Sequence, residues 1–155
     1  MKFITDRTLG KLAKWLRILG YDTVYYRGAI DRSMLEKGRR ERRIVLTRRR
    51  DMAERQFAGR MKIVMADGVT AQLREVIDEL ELAPSRDDLF TRCLSCNTCL
   101  HPADRQLVKG SVPPYVLQTQ TDFRICSLCR RIYWPGTHRD NMLRFLTEHN
   151  LIRHP

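Results

Sequence analysis

Along the first half of the chain, short apolar runs alternate with segments whose apolar positions recur at helical spacing. MKFIT, at residues 1–5, reads as a short buried strand with Asp6 directly after it. Leu9, Leu12, Ala13, Leu16 and Leu19 then share one helical face, and Gly20 supplies a left-handed stop. Thr23 to Tyr26 is a second strand. Asp31 or Ser33 can cap a short helix carrying Met34 and Leu35, with Ser33 and Glu36 at capping-box spacing and Gly38 at its end. Ile44 to Thr47 forms a third strand, residues 51–58 a helix, and Ile63 to Met65 a fourth strand. From Thr70 to Leu82, the positions Leu73, Val76, Ile77 and Leu80 define another amphipathic helix.

This alternation suits right-handed crossovers in a parallel sheet, so the expected class is α/β, a small open parallel sheet with flanking helices. Ligands of such sheets sit beyond the carboxyl ends of the strands, where Asp6, Thr47 and Asp67 fall. Pro84 to Asp88 interrupts the pattern and divides residues 1–83 from a second module over 90–155. There the helical rhythm is absent until Thr137, which can cap a helix carrying Met142, Phe145, Leu146 and His149. A module of about 65 residues needs a staple.

Five cysteines supply one. Cys93-x-x-Cys96 and Cys126-x-x-Cys129 are two hooks separated by 29 residues, the arrangement that folds into the paired knuckles of a zinc ribbon. Four thiolates favour a closed structural zinc site. Cys96-x-x-Cys99 is a competing hook, His101 a competing ligand and an iron–sulfur cluster a competing occupant; the odd cysteine count argues against a disulfide set. His138 and His154 have no zinc-protease spacing, and His149 falls in an apolar stripe, where a packed side chain is expected.

Charge changes the picture next. The 155 residues carry 29 Lys+Arg against 18 Asp+Glu, a formal net charge of +11, and residues 1–60 alone hold 17 basic and 7 acidic side chains. A concentrated positive field attracts phosphate backbones. Lys37, Arg39, Arg40, Arg42, Arg43, Arg48, Arg49 and Arg50 surround IVLT with Glu41 as the single intervening acid, and two arginine clusters flanking that strand could hold a nucleic-acid backbone across the sheet's ligand-bearing end. The bland reading is a solvated face. No apolar run is long enough for a membrane span, and MKFITDRTLG lacks a signal-peptide pattern, so a cytoplasmic protein is expected.

Asp6, Asp31, Asp51 and Asp67 each follow a strand or precede a helix. Carboxylates converging there could hold a divalent ion that activates water and neutralises phosphoryl charge, although helix capping explains Asp31 alone better. Tyr133 and Trp134 can stack an RNA base or pack around the zinc knuckle.

MKFITDRTLGKLAKWLRILGYDT, the strand ending IVLTR, the QLREV helix, RCLSCN, the second C-x-x-C and IYWPGTH occur in that order. Together they resemble the Mut-seven C-terminal family, a PIN-like ribonuclease domain followed by a zinc ribbon. The resemblance implies a PIN-like, Rossmann-like domain over 1–83, a ribbon with a C-terminal helix over 90–155, and structural zinc on Cys93, Cys96, Cys126 and Cys129. It also implies magnesium or manganese on acidic residues, for hydrolysis of RNA, expected to be single-stranded. Asp6 resembles the family's acid after the first strand and Asp31 the acid before the second helix, with Asp51 or Asp67 completing the charge. Arg32 stands where the family usually has a further acid, and LTRRRD puts Arg49 where LTR is usually followed by Asp. Thr47 and Arg48 match a polar pair beside the site, Gln72 a glutamine that orders a helix start, and Trp15 and Arg17 a segment that docks the two domains or seats the helix on the sheet. The implied function is metal-dependent RNA phosphodiester hydrolysis. The alternatives are a noncatalytic RNA-binding module with a degenerate site, or a protein partner in RNA-processing, toxin or ribosome-associated complexes.

Overall fold

A computed structural model describes residues 1–152. Strands β1 (Lys2–Thr5), β2 (Asp22–Tyr25), β3 (Ile44–Thr47) and β4 (Met61–Ile63) form a sheet in the order β2-β1-β3-β4, with every neighbouring pair parallel. Successive side chains of a strand face opposite sides, so a sheet covered on both faces needs continuous apolar strands. Phe3 packs with Leu12, Leu16, Leu46, Leu73 and Val76, the side of helices α1 (Gly10–Ile18) and α3 (Val69–Glu79). Ile4 packs with Ile30, Met34, Val45 and Met52, the side of helix α2 (Arg32–Arg40). The α/β parallel sheet expected from the apolar runs is present.

Local chemistry sets the boundaries. After α1 the chain turns at Gly20 with φ +90°, and a Cβ there would come within 2.5 Å of the Asp88 carbonyl oxygen. Asp31, rather than Ser33, caps α2: its Oδ1 accepts from the Met34 amide at 2.8 Å. The helix expected over 51–58 is instead a short 3-10 turn at Arg50–Glu54. Within that turn only Met52 is buried, so no apolar stripe extends it. The fourth strand lies two residues earlier than expected, at Met61–Ile63.

The second region is a three-stranded antiparallel sheet, β5 (Leu100–Ala103), β6 (Phe123–Cys126) and β7 (Ile132–Tyr133). Two helices that the apolar rhythm did not reveal connect β5 to β6. They are α4 (Arg105–Val108), capped by Asp104, and α5 (Pro114–Thr119), opened by proline. Val108, Val112, Val116 and Phe123 make a small core of their own.

Helix α6 (Thr137–Glu148) starts one residue after Gly136, which occupies the N-cap position instead of Thr137. It returns to the first region. Leu146, Leu151 and Ile152 belong to the same buried cluster as Phe3, Leu12 and Leu73, and Phe145 stacks on Trp15 with ring centroids 4.4 Å apart. Among the described residues, no helix is long and apolar enough to cross a membrane.

Candidate functional site

The four hook cysteines converge. The Sγ atoms of Cys93, Cys96, Cys126 and Cys129 all lie within 4.8 Å of one another, while Cys99 is exposed and outside the group. Each hook has the same local build. The amides of Asn97 and Arg130 donate to the carbonyls of Cys93 and Cys126 at 2.8 and 2.9 Å, and both residues adopt positive φ, 67° and 62°. The Cys96 and Cys129 amides point at the Cys93 and Cys126 sulfurs at 3.4 and 3.5 Å. Burial pushes the Cys93 thiol up, but the Tyr133 hydroxyl and backbone amides outweigh it and bring it down to about 7. Cys96 is pushed up to about 12, first by its hydrogen bond to Cys129 and also by the charges of Cys93 and Cys129. Thiolates this close suppress one another's ionisation, a cost that a divalent cation removes. The group can hold a metal ion, and a four-sulfur donor set suits zinc.

At the carboxyl ends of the parallel strands lies the acidic edge. Asp6 is 1% exposed. Its Oδ1 accepts from the Thr8 amide and hydroxyl, and its Oδ2 accepts from the Thr47 hydroxyl across the sheet at 2.5 Å. The Thr47 hydroxyl in turn accepts from the Arg49 amide at 3.2 Å, so Asp6, Thr47 and Arg49 form a continuous chain from β1 to the loop after β3. Asp31 spends one oxygen on capping α2 and accepts the Tyr26 hydroxyl on the other at 2.9 Å. The Met34 amide and the Tyr26 hydroxyl hold its carboxyl below its ordinary value.

Two of the four acids are bound by arginine. Arg49 donates to both Asp51 oxygens, at 3.0 and 2.5 Å, which lowers the Asp51 carboxyl; Arg48 pairs with Asp67 at 2.5 Å. Among the described residues, the four cysteines are the one group of three or more ligand-bearing side chains close enough to hold a metal. Hard carboxylate oxygens still suit magnesium or manganese, which binds through one or two carboxylates and keeps several waters. Among the described residues, the acidic edge is therefore not a three-carboxylate cage. Thr5 Oγ1, next to Asp6 in the chain, is buried without a hydrogen-bond partner, a local polar deficit at this edge.

The topology separates the basic run. Arg48, Arg49 and Arg50 follow β3 and are exposed at the acidic edge, whereas Arg39, Arg40 and Arg42 precede β3 and are exposed at its amino end. The two clusters do not share the ligand-bearing edge, because the strand between them carries the chain from one edge to the other. Arg43 is committed internally: its guanidinium binds Asp22 at 2.6 Å and Glu41 at 2.6 Å.

That amino edge is also where the cysteine region attaches. Asn97, inside the first hook, accepts from the Thr23 amide at 2.9 Å and donates to Asp22 at 2.7 Å. Arg17 is buried and donates to the carbonyls of Thr23, Leu94 and Ser95, so this α1 arginine ties the sheet to the first knuckle. Arg92 donates to Gly20 and Asn97. Tyr133 packs at the knuckle, its hydroxyl shared between Cys93 Sγ and the Leu94 amide.

Gln72 donates to the Ala66 carbonyl just before α3, and the His149 ring packs on Phe145 at a tilt, with centroids 4.4 Å apart. His154 lies outside the described residues. Sequence reasoning missed Thr8, Tyr26 and Glu75. Glu75 accepts the Met65 and Ala66 amides and pairs with Lys62, which fixes the loop leading to Asp67. Only the short distance from Asp6 to Thr8 was legible beforehand, as an Asp-x-Thr turn signal.

A family model described as the Mut7-C RNAse domain matches residues 1–146. No curated protein and no solved structure matches the chain.

Proposed function

Since the chain belongs to the Mut7-C RNAse domain family, we propose that it hydrolyses RNA phosphodiester bonds at the acidic edge of its parallel sheet, with a divalent ion. The supporting observation is the buried Asp6–Thr47 hydrogen bond, which fixes a carboxylate at the carboxyl end of the central strands. In this reading residues 1–83 are the nuclease layer, and the segment 90–155 is its metal-stapled extension. Asp6 and Asp31 hold magnesium or manganese, and Asp67 adds negative charge. When bound, the ion supplies a water of lowered pKa and neutralises charge on the phosphoryl oxygens. Thr47 holds Asp6 in place. Arg48 and Arg50 position the RNA phosphates, and the exposed Arg48–Asp67 pair is weak enough to exchange partners.

A second reading has an observation of its own. With both Asp51 oxygens held by Arg49, the displaced acid is neutralised, which favours RNA binding without efficient cleavage. Hydrolysis of a labelled single-stranded RNA in manganese separates the two. The expected order is slow cleavage by the unaltered protein, a loss of more than about tenfold in Asp6→Asn, and a gain in Arg49→Asp. Activity that survives Asp6→Asn removes the proposed site. RNA bound equally by all the variants and cut by none replaces the nuclease with the binding reading.

A further inference from the structure

Two features outside the acidic edge line up with it. Between the segment leading into the first hook, the ribbon strands, α5 and α6 lies a cavity of about 400 Å³, within the range of small-ligand sites. Phe90, Tyr115 and Trp134 line it together with Arg92, Arg124 and Arg139, against Asp122 as the one carboxylate of the lining. Tyr115 is 67% exposed, an aromatic ring left uncovered, and the Arg139 guanidinium stands 5.0 Å from the Phe90 ring centre. A second hollow of about 490 Å³ shares Leu94, Ile132, Tyr133 and His138 with the first and adds two cations, Lys14 and Arg131.

Lys14 is the point of contact between groove and helix. Arg7, Lys11 and Lys14 are exposed; Lys11 and Lys14, three residues apart, share one face of α1, and Arg7 lies in the 3-10 turn that leads into it beside Asp6. Among the described residues, none of the three forms a salt bridge. A helix that follows β1 and leads back to the start of β2 runs from the acidic edge to the edge where the ribbon docks. The cations therefore connect Asp6 with the aromatic groove.

We propose that single-stranded RNA lies along this face of α1, its phosphates on Arg7, Lys11 and Lys14 and a base stacked in the groove on Tyr115 or Trp134. This rests on the RNA-hydrolase reading and adds a path for the strand to it. Aromatic stacking with flanking arginines accepts any base, so length and single-strandedness, not sequence, are what the groove selects.

The test is a fluorescence-anisotropy titration of the full chain with a 12-nucleotide single-stranded RNA and with a trinucleotide, across a salt series. For the longer RNA, Tyr115→Ala weakens binding about five- to a hundredfold. The double variant Lys11→Gln, Lys14→Gln lowers the salt slope by about 1.4, roughly 0.7 per lost phosphate contact. Trinucleotide binding weakens less than 12-mer binding in both, because three nucleotides cannot occupy the cations and the groove together. Both sites are exposed, and an unchanged thermal transition in each variant excludes unfolding as the cause of lost affinity. A 12-mer bound by both variants with unchanged affinity and slope overturns the track, while cleavage in manganese leaves the hydrolase reading standing. Affinity lost only on neutralising Arg39, Arg40 and Arg42 overturns it as well and moves the RNA to the end of α2. A chain that binds neither RNA at low salt removes the track and the hydrolase reading together.

Discussion

The parallel-sheet layer and the cysteine region meet along one joint but are stabilised by different means. Apolar clusters cover both faces of the sheet, with Phe3, Leu12, Leu16, Leu46, Leu73 and Val76 on one side and Ile4, Met34 and Val45 on the other. In the cysteine region, the apolar core is Val108, Val112, Val116 and Phe123, beside a second cluster built around the cysteines themselves. A core of four side chains cannot offset the conformational entropy of some forty ordered residues. A tetrathiolate metal site can supply the difference, since structural zinc binds small domains with an apparent free energy of about 10–16 kcal/mol. Removing a single group should therefore act locally in the sheet and globally in the ribbon.

The largest expected effect follows from removing a ligand. Cys126→Ser, or chelation, should abolish amide protection through roughly residues 91–135 while the sheet strands keep theirs, as read by hydrogen exchange. Protection that persists in a metal-free protein would place the ribbon's stability in its apolar core. A cut into the other region comes next. Leu146 is fully buried among Leu12 and Leu73, so Leu146→Ala should cost about 2–5 kcal/mol and lower the melting transition of the sheet layer without releasing the metal. Metal loss in that variant would assign α6 to the ribbon instead.

The joint between the regions gives a smaller, pH-dependent effect. Burial pushes the Asp22 carboxyl up, but Arg43 and Asn97 outweigh it and hold it below its ordinary value. A folded pKa below the unfolded one, about 3.9, means that the contribution is complete above roughly pH 4 and is lost as pH falls through the folded value. Asp22→Asn should cost about 1–3 kcal/mol near neutrality and flatten the acid limb of the stability curve. An unchanged acid limb would leave the joint to Arg17, Arg92 and the hydrogen bond from the Thr23 amide to Asn97. Cys99→Ser should change least, within about 0.5 kcal/mol and with full metal content, because Cys99 is exposed and outside the thiol cluster.

The same contrast explains what was legible. Apolar runs such as FIT and IVLT declare buried strands, and paired C-x-x-C hooks declare their own convergence, because each signal is local. The short helices α4 and α5 are too brief for a 3.6-residue rhythm, and the 3-10 turn at Arg50–Glu54 carries helix-forming residues without an apolar stripe. Asp6 and Thr47 could be assigned to one edge from strand order, but their hydrogen bond could not. Asn97 on Asp22, and Arg17 on Leu94, join residues more than seventy positions apart, and no spacing announces them. The two arginine clusters around IVLT read in the sequence as sharing the ligand-bearing end and fall at opposite edges in space, since the four residues of β3 run between them.

The return of α6 to the first core has a consequence for the order in which the chain assembles. Leu12 and Leu146 are about 130 residues apart, and closing a flexible loop of that length costs about 4 kcal/mol of chain entropy before any contact rewards it. During synthesis, β1 to α3 emerge first and must wait with Trp15 and the face of Leu12 and Leu73 uncovered. At about 5–20 residues per second, that wait lasts several seconds, long enough for an exposed apolar face to find another chain. A ribbon that folds around a metal in the interval would carry Phe145 and Leu146 back toward the surface they close, so an ion held by the four cysteines would shorten the search that completes the first core.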